Sequence, residues 1–192
     1  MAKLYFNYSS MNAGKSTALL QADHNYRERG MSTFLFTSSK DERYGKNEIV
    51  SRIGIKAPAT YFFENTNIFE EVLEESKKNH TNCVLIDEAQ FLSKDQVFQL
   101  GRIVDELNIP VLTFGIRTDF KGELFEGSQY LLAWSDNIKE IKTVCHCGGK
   151  ATMVVRINSN GAIVSEGSQI EVGGNESYIP LCRKHFNSKE LD

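Results

Sequence analysis

The chain reads Ser9-Ser10-Met11-Asn12-Ala13-Gly14-Lys15-Ser16-Thr17 between a short apolar run and a segment with helical periodicity. A loop that joins a strand to a helix in this way points backbone N–H groups and the positive end of the helix dipole at a bound anion. The usual phosphate-loop pattern is G-x-x-x-x-G-K-[ST], and Ser9 stands here in place of its first glycine. The stretch therefore predicts an ATP-binding phosphate loop over Ser9 and residues 11–17, in which Lys15 reaches the β- and γ-phosphates and Ser16 binds Mg²⁺. A helix that begins with these letters by accident is the alternative.

A second polar motif ends an apolar strand, where Val84-Leu85-Ile86 is followed by Asp87 and Glu88. In a phosphate-loop enzyme this position brings a carboxylate to the Mg²⁺ shell, and Asp87 fits that role. Glu88 can then act as a general base on a hydroxyl group or a water molecule. Two acids at a strand end are usually solvated charges, but beside a phosphate loop they indicate a nucleoside triphosphate enzyme. These residues do not distinguish hydrolysis from transfer to an acceptor.

Hydrophobic periodicity alternates between strand and helix over about the first 140 residues. Predicted strands cover residues 3–8, 33–37, 60–63, 83–87 and 110–115, and predicted helices cover residues 15–29, a segment around 68–73 and a segment capped by Ser93. Residues 38–58 are polar and charged, which predicts a long loop. Such alternation implies right-handed crossovers and a parallel sheet covered on both faces. The predicted fold is therefore α/β, with a parallel-sheet P-loop NTPase core of the RecA-like type.

The pattern changes near residue 143, where the chain carries several glycines, cysteines and histidines. We predict a nucleotide-binding domain over residues 1–142 and a small zinc-binding subdomain over residues 143–192. A subdomain of about 50 residues has little core of its own, so a bound metal ion is a reasonable support. Two pairs of soft ligands suit a structural Zn²⁺, and we assign them to Cys145, Cys147, Cys182 and His185.

The first ligand pair, Cys145-His146-Cys147, has a closer spacing than the usual C-x-x-C. The C-x-C spacing either strains the metal site or moves a ligand role to His146. Reduced thiols without a metal are the remaining alternative.

Composition argues against several classes of function. The 192 residues include 22 Lys and Arg and 25 Asp and Glu, for a formal net charge of −3, and no run of basic residues stands out. A dedicated nucleic-acid binder is therefore not expected. There is no secretory leader, and no apolar stretch approaches the roughly 20 residues needed to span a bilayer. We therefore expect a cytoplasmic protein that does not bind a membrane.

The motifs together resemble the type II thymidine kinases, a phosphate-loop and zinc-containing family, over nearly the whole chain. The resemblance rests on SSMNAGKST, on Asp41-Glu42-Arg43-Tyr44, on Asp87-Glu88-Ala89-Gln90-Phe91, on GIRTDFKGELF at residues 115–125, and on Gly173-Gly174 followed by Tyr178 and Cys182. The last three elements are more specific than the phosphate loop, which very many families share. The resemblance implies transfer of the ATP γ-phosphate to the 5′-hydroxyl of thymidine in nucleoside salvage, with deoxyuridine as an open second acceptor.

The resemblance also implies catalytic roles for individual residues. Glu88 matches the base that deprotonates the 5′-hydroxyl, and Asp87 and Ser16 match the partners of Mg²⁺. Arg43 matches a phosphate-side or transition-state-stabilising arginine, with Asp41 beside it. Without the resemblance, charges in a polar loop such as this one are usually just solvated.

A thymidine site is implied in the same way. The matching positions are Gln90, Phe91, Ile116, Phe120, Phe125, Met153, Ile170, Gly173 and Tyr178. Residues from about 165 to 178 match a covering segment, here called the lasso loop, that closes over the nucleoside and excludes water. Read without the resemblance, Phe120 and Phe125 are more often core residues than pocket residues. The family further implies a homotetramer and feedback inhibition by thymidine triphosphate (dTTP).

Two other classes of function stay open at this point. One is a nucleic-acid-dependent P-loop ATPase with a zinc module, because Asp87-Glu88-Ala89-Gln90 resembles a helicase motif. The chain is too short for two motor lobes and lacks a basic run, which disfavours that class. The other is a regulatory module that binds a nucleotide without performing chemistry.

Overall fold

The computed structural model describes residues 1–40, 47–169 and 178–191. Its strands are β1 (Leu4–Ser9), β2 (Ser32–Ser38), β3 (Glu48–Val50), β4 (Lys56–Pro58), β5 (Thr60–Phe62), β6 (Thr81–Ile86), β7 (Val111–Ile116), β8 (Asn137–Glu140), β9 (Thr143–Val144), β10 (Lys150–Ala151), β11 (Met153–Ile157), β12 (Ile163–Val164) and β13 (Tyr178–Leu181). Its helices are α1 (Lys15–Glu28), α2 (Ile68–Lys78), α3 (Lys94–Leu107), α4 (Glu126–Trp134) and α5 (Arg183–Ser188), with a 3₁₀ turn at Ala89–Phe91.

A parallel sheet forms the centre of the molecule. Within the described residues it has six strands in the order β5-β2-β6-β7-β1-β8, and every neighbouring pair is parallel. Along the chain, α1 joins β1 to β2, α2 joins β5 to β6, α3 joins β6 to β7 and α4 joins β7 to β8, as parallel pairing requires. The segment between β2 and β5 carries β3 and β4 instead. The predicted α/β fold with a central parallel sheet is confirmed.

Both faces of the sheet are covered, and β6 shows how. Successive side chains of a strand point to opposite faces. Val84 and Ile86 belong to a buried cluster that includes side chains of α2 and α3. Cys83 and Leu85 pack instead with the buried leucines of α1. A continuous apolar run is therefore needed here, because no face of this strand meets water.

The carboxyl ends of β1, β6 and β7 lie at one edge of the sheet. Leu4 of β1 and Val84 of β6 both pair with Val111 of β7, so the three strands lie side by side in register at these residues. Because they run in the same direction, the segments that follow them gather at the same edge. This edge is where ligands bind in open α/β sheets.

The helix α3 begins with a capping box. The Ser93 hydroxyl accepts the Gln96 N–H at 3.2 Å, and the Gln96 side-chain oxygen accepts the Ser93 N–H at 3.0 Å. Each bond satisfies an N–H that the helix itself leaves without a partner. The predicted cap at Ser93 is confirmed.

The region after residue 143 forms its own small structure. The strands β12, β11 and β13 make an antiparallel sheet, and β9 pairs with β10. Cys145, Ala151, Val155 and Leu181 form a separate buried cluster. The division into residues 1–142 and 143–192 fits this arrangement, and we retain it as a proposal.

The prediction of a long loop over residues 38–58 was wrong for the part that the structure describes. The strands β3 and β4 pair antiparallel, and Ile49 is buried against the α1 side of the sheet. A turn closes the pair, with the Ser51 N–H donating to the Ile55 carbonyl at 2.8 Å. Three-residue strands carry too few side chains to give a readable alternation. Residues 41–46 lie outside the described residues.

Two elements at the end of the larger region were not predicted, namely α4 and β8. The sheet gains β8 as an edge strand beside β1, and α4 lies against the 3₁₀ turn at Ala89–Phe91. No helix in the described part of the chain is long and apolar enough to cross a membrane.

Candidate active site

The phosphate loop, residues 9–17, turns tightly between β1 and α1. Asn12 and Gly14 have left-handed backbones, with φ of 63° and 81°. The Lys15 ammonium donates to the Ser9 hydroxyl at 3.2 Å and to the Ser10 carbonyl at 3.1 Å. Ser9, which replaces the glycine of the usual pattern, therefore supplies an oxygen to the lysine of the same loop.

The loop meets the strand-end acids through a direct hydrogen bond. The Ser16 hydroxyl donates to Asp87 Oδ2 at 2.7 Å. Burial raises the pKa of the Asp87 carboxyl, and the neighbouring Glu88 charge raises it further, while the Ser16 hydroxyl and the Lys15 charge oppose the rise. A cation beside this carboxylate would offset the cost of burying its charge. A serine hydroxyl next to a carboxylate fits Mg²⁺, which prefers oxygen ligands.

Glu88 occupies an uncommon backbone conformation, with φ 51° and ψ 39°. A left-handed glutamate is uncommon, and such conformations cluster at functional sites. Its N–H donates to Asp87 Oδ1 at 3.0 Å, and its carboxylate accepts a short hydrogen bond from the Gln90 amide. The carboxylate is therefore fixed beside Asp87 rather than free to turn into solvent.

Gln90 joins two of the motifs that the sequence singled out. It is almost completely buried, at 2% exposure. Its amide nitrogen holds Glu88, and its amide oxygen accepts the Ile116 N–H at 3.1 Å. Gly115, the residue before Ile116, leaves room for the Gln90 amide, because a Cβ atom on Gly115 would lie 2.9 Å from Gln90 Oε1. The segments after β6 and β7 are thereby locked together.

Aromatic side chains follow the strand-end acids in the 3₁₀ turn and occur again in the segment after β7. The rings of Phe91 and Phe125 meet edge to face, with centroids 5.9 Å apart. Phe120 and Phe125 are buried, whereas Phe91, Ile116 and Met153 are half-buried. Half-buried apolar and aromatic side chains are typical of a pocket for a flat, mostly apolar ligand.

The remaining residues assigned to the thymidine site divide into two groups. Tyr178 is half-buried and opens β13, where it pairs with Arg156 of β11. Ile170 and Gly173, like Arg43 and Asp41, lie outside the described residues. Their assigned roles stay predictions.

Four side chains in the C-terminal region could hold a metal ion. The ligand atoms of Cys145, Cys147, Cys182 and His185 all lie within 4.8 Å of one another. His185 Nδ1 lies 3.4 Å from Cys145 Sγ and 3.5 Å from Cys182 Sγ, and the Cys147 and Cys182 sulfurs are 4.0 Å apart. Zinc bonds of about 2.0–2.3 Å place neighbouring ligand atoms of a tetrahedron about 3.6 Å apart. The four groups therefore fit a tetrahedral ion of the size of Zn²⁺.

His146, the alternative ligand, lies outside this group in the described part of the chain. Its ring stacks on that of His185, with centroids 4.3 Å apart. Burial would raise the pKa of the Cys145 thiol, but hydrogen bonds from the Cys182 and Cys147 N–H groups and from His185 hold it below its usual value. A thiol that ionises readily is suited to metal binding.

The structure adds three polar residues that received no role from the sequence: Asp119, Arg156 and Gln169. The Gln169 amide donates to Asp119 Oδ2 at 3.0 Å, so the start of the lasso loop contacts the segment after β7. Arg156 is 5% exposed within the otherwise apolar strand Met153–Ile157. A charge inside an apolar strand was the available signal for that arginine.

Comparison with known proteins gives a consistent result. A family model described as "Thymidine kinase" matches residues 2–186. Proteins named thymidine kinase match at 57% identity in Haemophilus influenzae (strain 86-028NP), 59% in Shewanella oneidensis and 60% in Zymomonas mobilis. These matches cover 98%, 97% and 98% of this chain and the same shares of the three relatives.

One of the solved structures that match the chain resembles it only weakly. A replication initiator DnaA bound to AMPPCP and single-stranded DNA matches with a TM-score of 0.41 and 16% identity. The match covers 73% of this chain and 40% of that one. A likeness of this size bears on neither fold nor function.

Proposed function

The chain belongs to the thymidine kinase family, and we propose that it transfers the γ-phosphate of ATP to the 5′-hydroxyl of thymidine. The products are thymidine monophosphate and ADP, which assigns the enzyme to nucleoside salvage. The observation that carries the proposal is the 2.7 Å hydrogen bond between Ser16 of the phosphate loop and Asp87, with Glu88 fixed alongside. Triphosphate-binding and proton-accepting groups thus meet at one edge of the sheet.

The phosphate loop binds the triphosphate in this proposal. Backbone N–H groups at the start of α1 face the phosphates, and Lys15 exchanges its bonds to Ser9 and Ser10 for phosphate oxygens. Ser16 and Asp87 would hold Mg²⁺, which neutralises phosphate charge when bound. Arg43, beyond the described residues, is proposed to act on the phosphate side, with Asp41 beside it.

Glu88 is proposed as the catalytic base. Its carboxylate takes the proton of the 5′-hydroxyl as the oxygen–phosphorus bond to thymidine forms and the bond to ADP breaks. The Gln90 amide, which donates to the Glu88 carboxylate, supports this role because it orients the base towards the acceptor.

The nucleoside site is proposed beside this base. Gln90, Phe91, Ile116, Phe120, Phe125, Met153, Ile170, Gly173 and Tyr178 are its assigned residues. Apolar and aromatic surfaces would hold the thymine ring, and the lasso loop over residues 165–178 would exclude water from the reaction. Exclusion of water favours transfer to thymidine over hydrolysis of ATP. Deoxyuridine remains a second candidate acceptor.

We assign a structural Zn²⁺ to the cluster of Cys145, Cys147, Cys182 and His185, whose spacing fits that ion. Assembly into a homotetramer and inhibition by dTTP are also proposed, and both rest on the resemblance to type II thymidine kinases. A cytoplasmic location, expected from the sequence, is proposed as well.

A panel of nucleosides with ATP and Mg²⁺ tests the proposed function. We expect thymidine to be converted to its monophosphate, with little ATP hydrolysis when no nucleoside is present. ATP turnover that rises with DNA or RNA and ignores thymidine would instead support the nucleic-acid-dependent ATPase, a class that family membership does not favour.

A further inference from the structure

Arg156 is a buried charge that the proposed reaction does not use. It lies in β11 between Val155 and Ile157, and only 5% of its surface is exposed. A guanidinium is costly to remove from water unless its charge and its N–H groups find partners. The partners of this arginine therefore indicate what it stabilises.

One partner is an aromatic ring of the proposed nucleoside site. The guanidinium lies over the ring of Phe120, with its central carbon 4.1 Å from the ring centroid. At this distance an arginine stacks on the ring and fixes its orientation as well as contributing an attraction. Phe120 is itself buried, so the ring has little freedom to leave the contact.

The other partners are backbone carbonyls at the start of the lasso loop. Arg156 Nη1 donates to the Ser168 carbonyl, and Nη2 donates to the Glu166 carbonyl, both at 3.2 Å. A planar guanidinium presents its N–H groups in a rigid fork, which suits two carbonyl acceptors that lie two residues apart in the chain. One side chain thus joins the Phe120 ring of the proposed nucleoside site to the first residues of the lasso loop.

Gly167, between these two carbonyls, makes the close approach feasible. Its φ of +128° is a conformation that other L-residues rarely adopt, and a Cβ atom there would lie 2.4 Å from Arg156 Nη2. The loop therefore runs against the guanidinium without space for a side chain.

Strand pairing brings both ends of the lasso loop to the same arginine. Arg156 pairs with Val164 of β12 on one side and with Tyr178 of β13 on the other. The strands that precede and follow the loop are thus both paired with this one residue.

We propose that Arg156 is a positioning residue for the nucleoside, which clamps the base of the lasso loop onto Phe120. This inference rests on the proposed function, because it needs thymidine to bind beside the Phe120 ring. The arginine acts on the acceptor side of the site, so its loss weakens thymidine binding and leaves the phosphate loop unaffected.

Kinetics of Arg156→Gln test the clamp. We expect the KM for thymidine to rise about tenfold or more, as the loss of charge-assisted hydrogen bonds implies. The KM for ATP should stay within about twofold, because the ring and the two carbonyls that hold the arginine belong to the acceptor side rather than to the phosphate loop. Arg156→Lys keeps the charge but loses the fork and the stacking, so it should give an intermediate thymidine KM.

Arg102→Gln is the matched control. Arg102 also stacks on a phenylalanine, with its guanidinium carbon 3.9 Å from the Phe69 ring centroid, but it lies on α3 among surface residues. This variant should leave the KM for both substrates unchanged.

Gly167→Ala changes the loop residue that contacts the Arg156 guanidinium and leaves the sequence of the buried strand β11 unchanged. It should reproduce the selective rise in thymidine KM, and it decides the question if Arg156→Gln does not fold. The proposal is overturned if Gly167→Ala and any folded Arg156 variant keep the wild-type thymidine KM, or if the two substrate KM values rise equally. Wild-type protein that fails to phosphorylate thymidine would instead refute the proposed function itself.

Discussion

At the scale of single residues, the site depends on a few side chains held in place by backbone geometry. Glu88 lies two residues after the end of β6 in a left-handed conformation, and its carboxylate accepts a hydrogen bond from the Gln90 amide. The backbone strain is offset by the 3₁₀ turn that follows, in which Ala89 and Gln90 are buried. A carboxylate that is already held in place can accept a proton from a substrate without first changing its own conformation.

Glu88→Gln tests the base directly. The substitution preserves size and removes the proton acceptor, so kcat should fall about 10²- to 10⁴-fold while ATP binding is retained. Steady-state kinetics and equilibrium nucleotide binding measure the two effects. Glu106→Gln, at an exposed glutamate paired with Arg102 on α3, is the control and should be near wild type. A near-normal rate for Glu88→Gln would mean that the base is elsewhere.

Gly127→Ala tests the support of that base. A Cβ atom at Gly127 would lie 2.5 Å from the Ala89 carbonyl oxygen and 2.8 Å from that of Leu92, both in rigid backbone. The 3₁₀ turn that carries Gln90 would have to move. We expect a loss of about 1–3 kcal/mol in the free energy of unfolding, measured in urea, together with a lower kcat.

Gly101→Ala is the contrasting control within the same protein. Apart from the backbone of its own helix and its chain neighbours, no atom of the described residues lies within 4 Å of the Cβ position at Gly101, which is inside α3. Alanine there should raise the free energy of unfolding by roughly 0.5–1 kcal/mol through helix propensity. If both glycine variants changed stability equally, the contact between α4 and the turn would not be the cause.

At the scale of elements, side-chain caps mark where α2 and α3 begin. α3 starts at the capping box of Ser93 and Gln96, and the Gln96 amide also donates to the Phe63 carbonyl at 2.7 Å. The same glutamine therefore caps α3 and also holds the segment that precedes α2. The Ser93 cap is local and was readable from the sequence, whereas the contact between Gln96 and Phe63 was not.

Ser93→Ala should lower the free energy of unfolding by about 1 kcal/mol, because the helix loses one partner for its first N–H groups. Urea denaturation measures the loss. Ser93→Asp keeps a side-chain acceptor and should restore most of it. The thymidine KM should be unaffected in both variants, and unchanged stability in Ser93→Ala would show that the cap contributes little.

Elements that were missed lacked a local signal. The strands β3 and β4 have three residues each, too few for a periodic pattern. The helix α4 contains Gly127 and Ser128 in its first turns, residues of low helix propensity, yet both are buried against neighbouring segments. Packing against the rest of the molecule, rather than propensity, stabilises these elements.

At the scale of the whole molecule, the C-terminal region contacts the phosphate loop and also the segment that follows β7. The Ser10 hydroxyl donates to the Ala151 carbonyl at 3.3 Å, and Gln169 bonds to Asp119. The metal cluster follows β13 directly through Cys182. Stability of that cluster should therefore affect a site built from both regions.

His185→Ala tests the metal cluster. We expect the bound zinc, measured by metal analysis, to fall from one per chain, and the melting temperature to fall with it, because the small buried cluster around β11 loses its support. His185→Cys supplies another thiolate and should keep both values close to wild type. Wild-type protein without stoichiometric zinc would remove the assignment.

The sequence by itself determined the parallel α/β core, the phosphate loop, the acids after β6 and the four residues that could hold a metal ion, because each depends on spacing along the chain. Only the tertiary structure decided that Gln90 locks Glu88 to the strand end at Ile116, and that Arg156 joins Phe120 to the lasso loop. These contacts link residues that are distant in sequence, and nothing in local propensity or periodicity reports which side chains folding brings together. Arg156 shows the reason most clearly, since its neighbours in the chain are apolar and its partners come from two other segments.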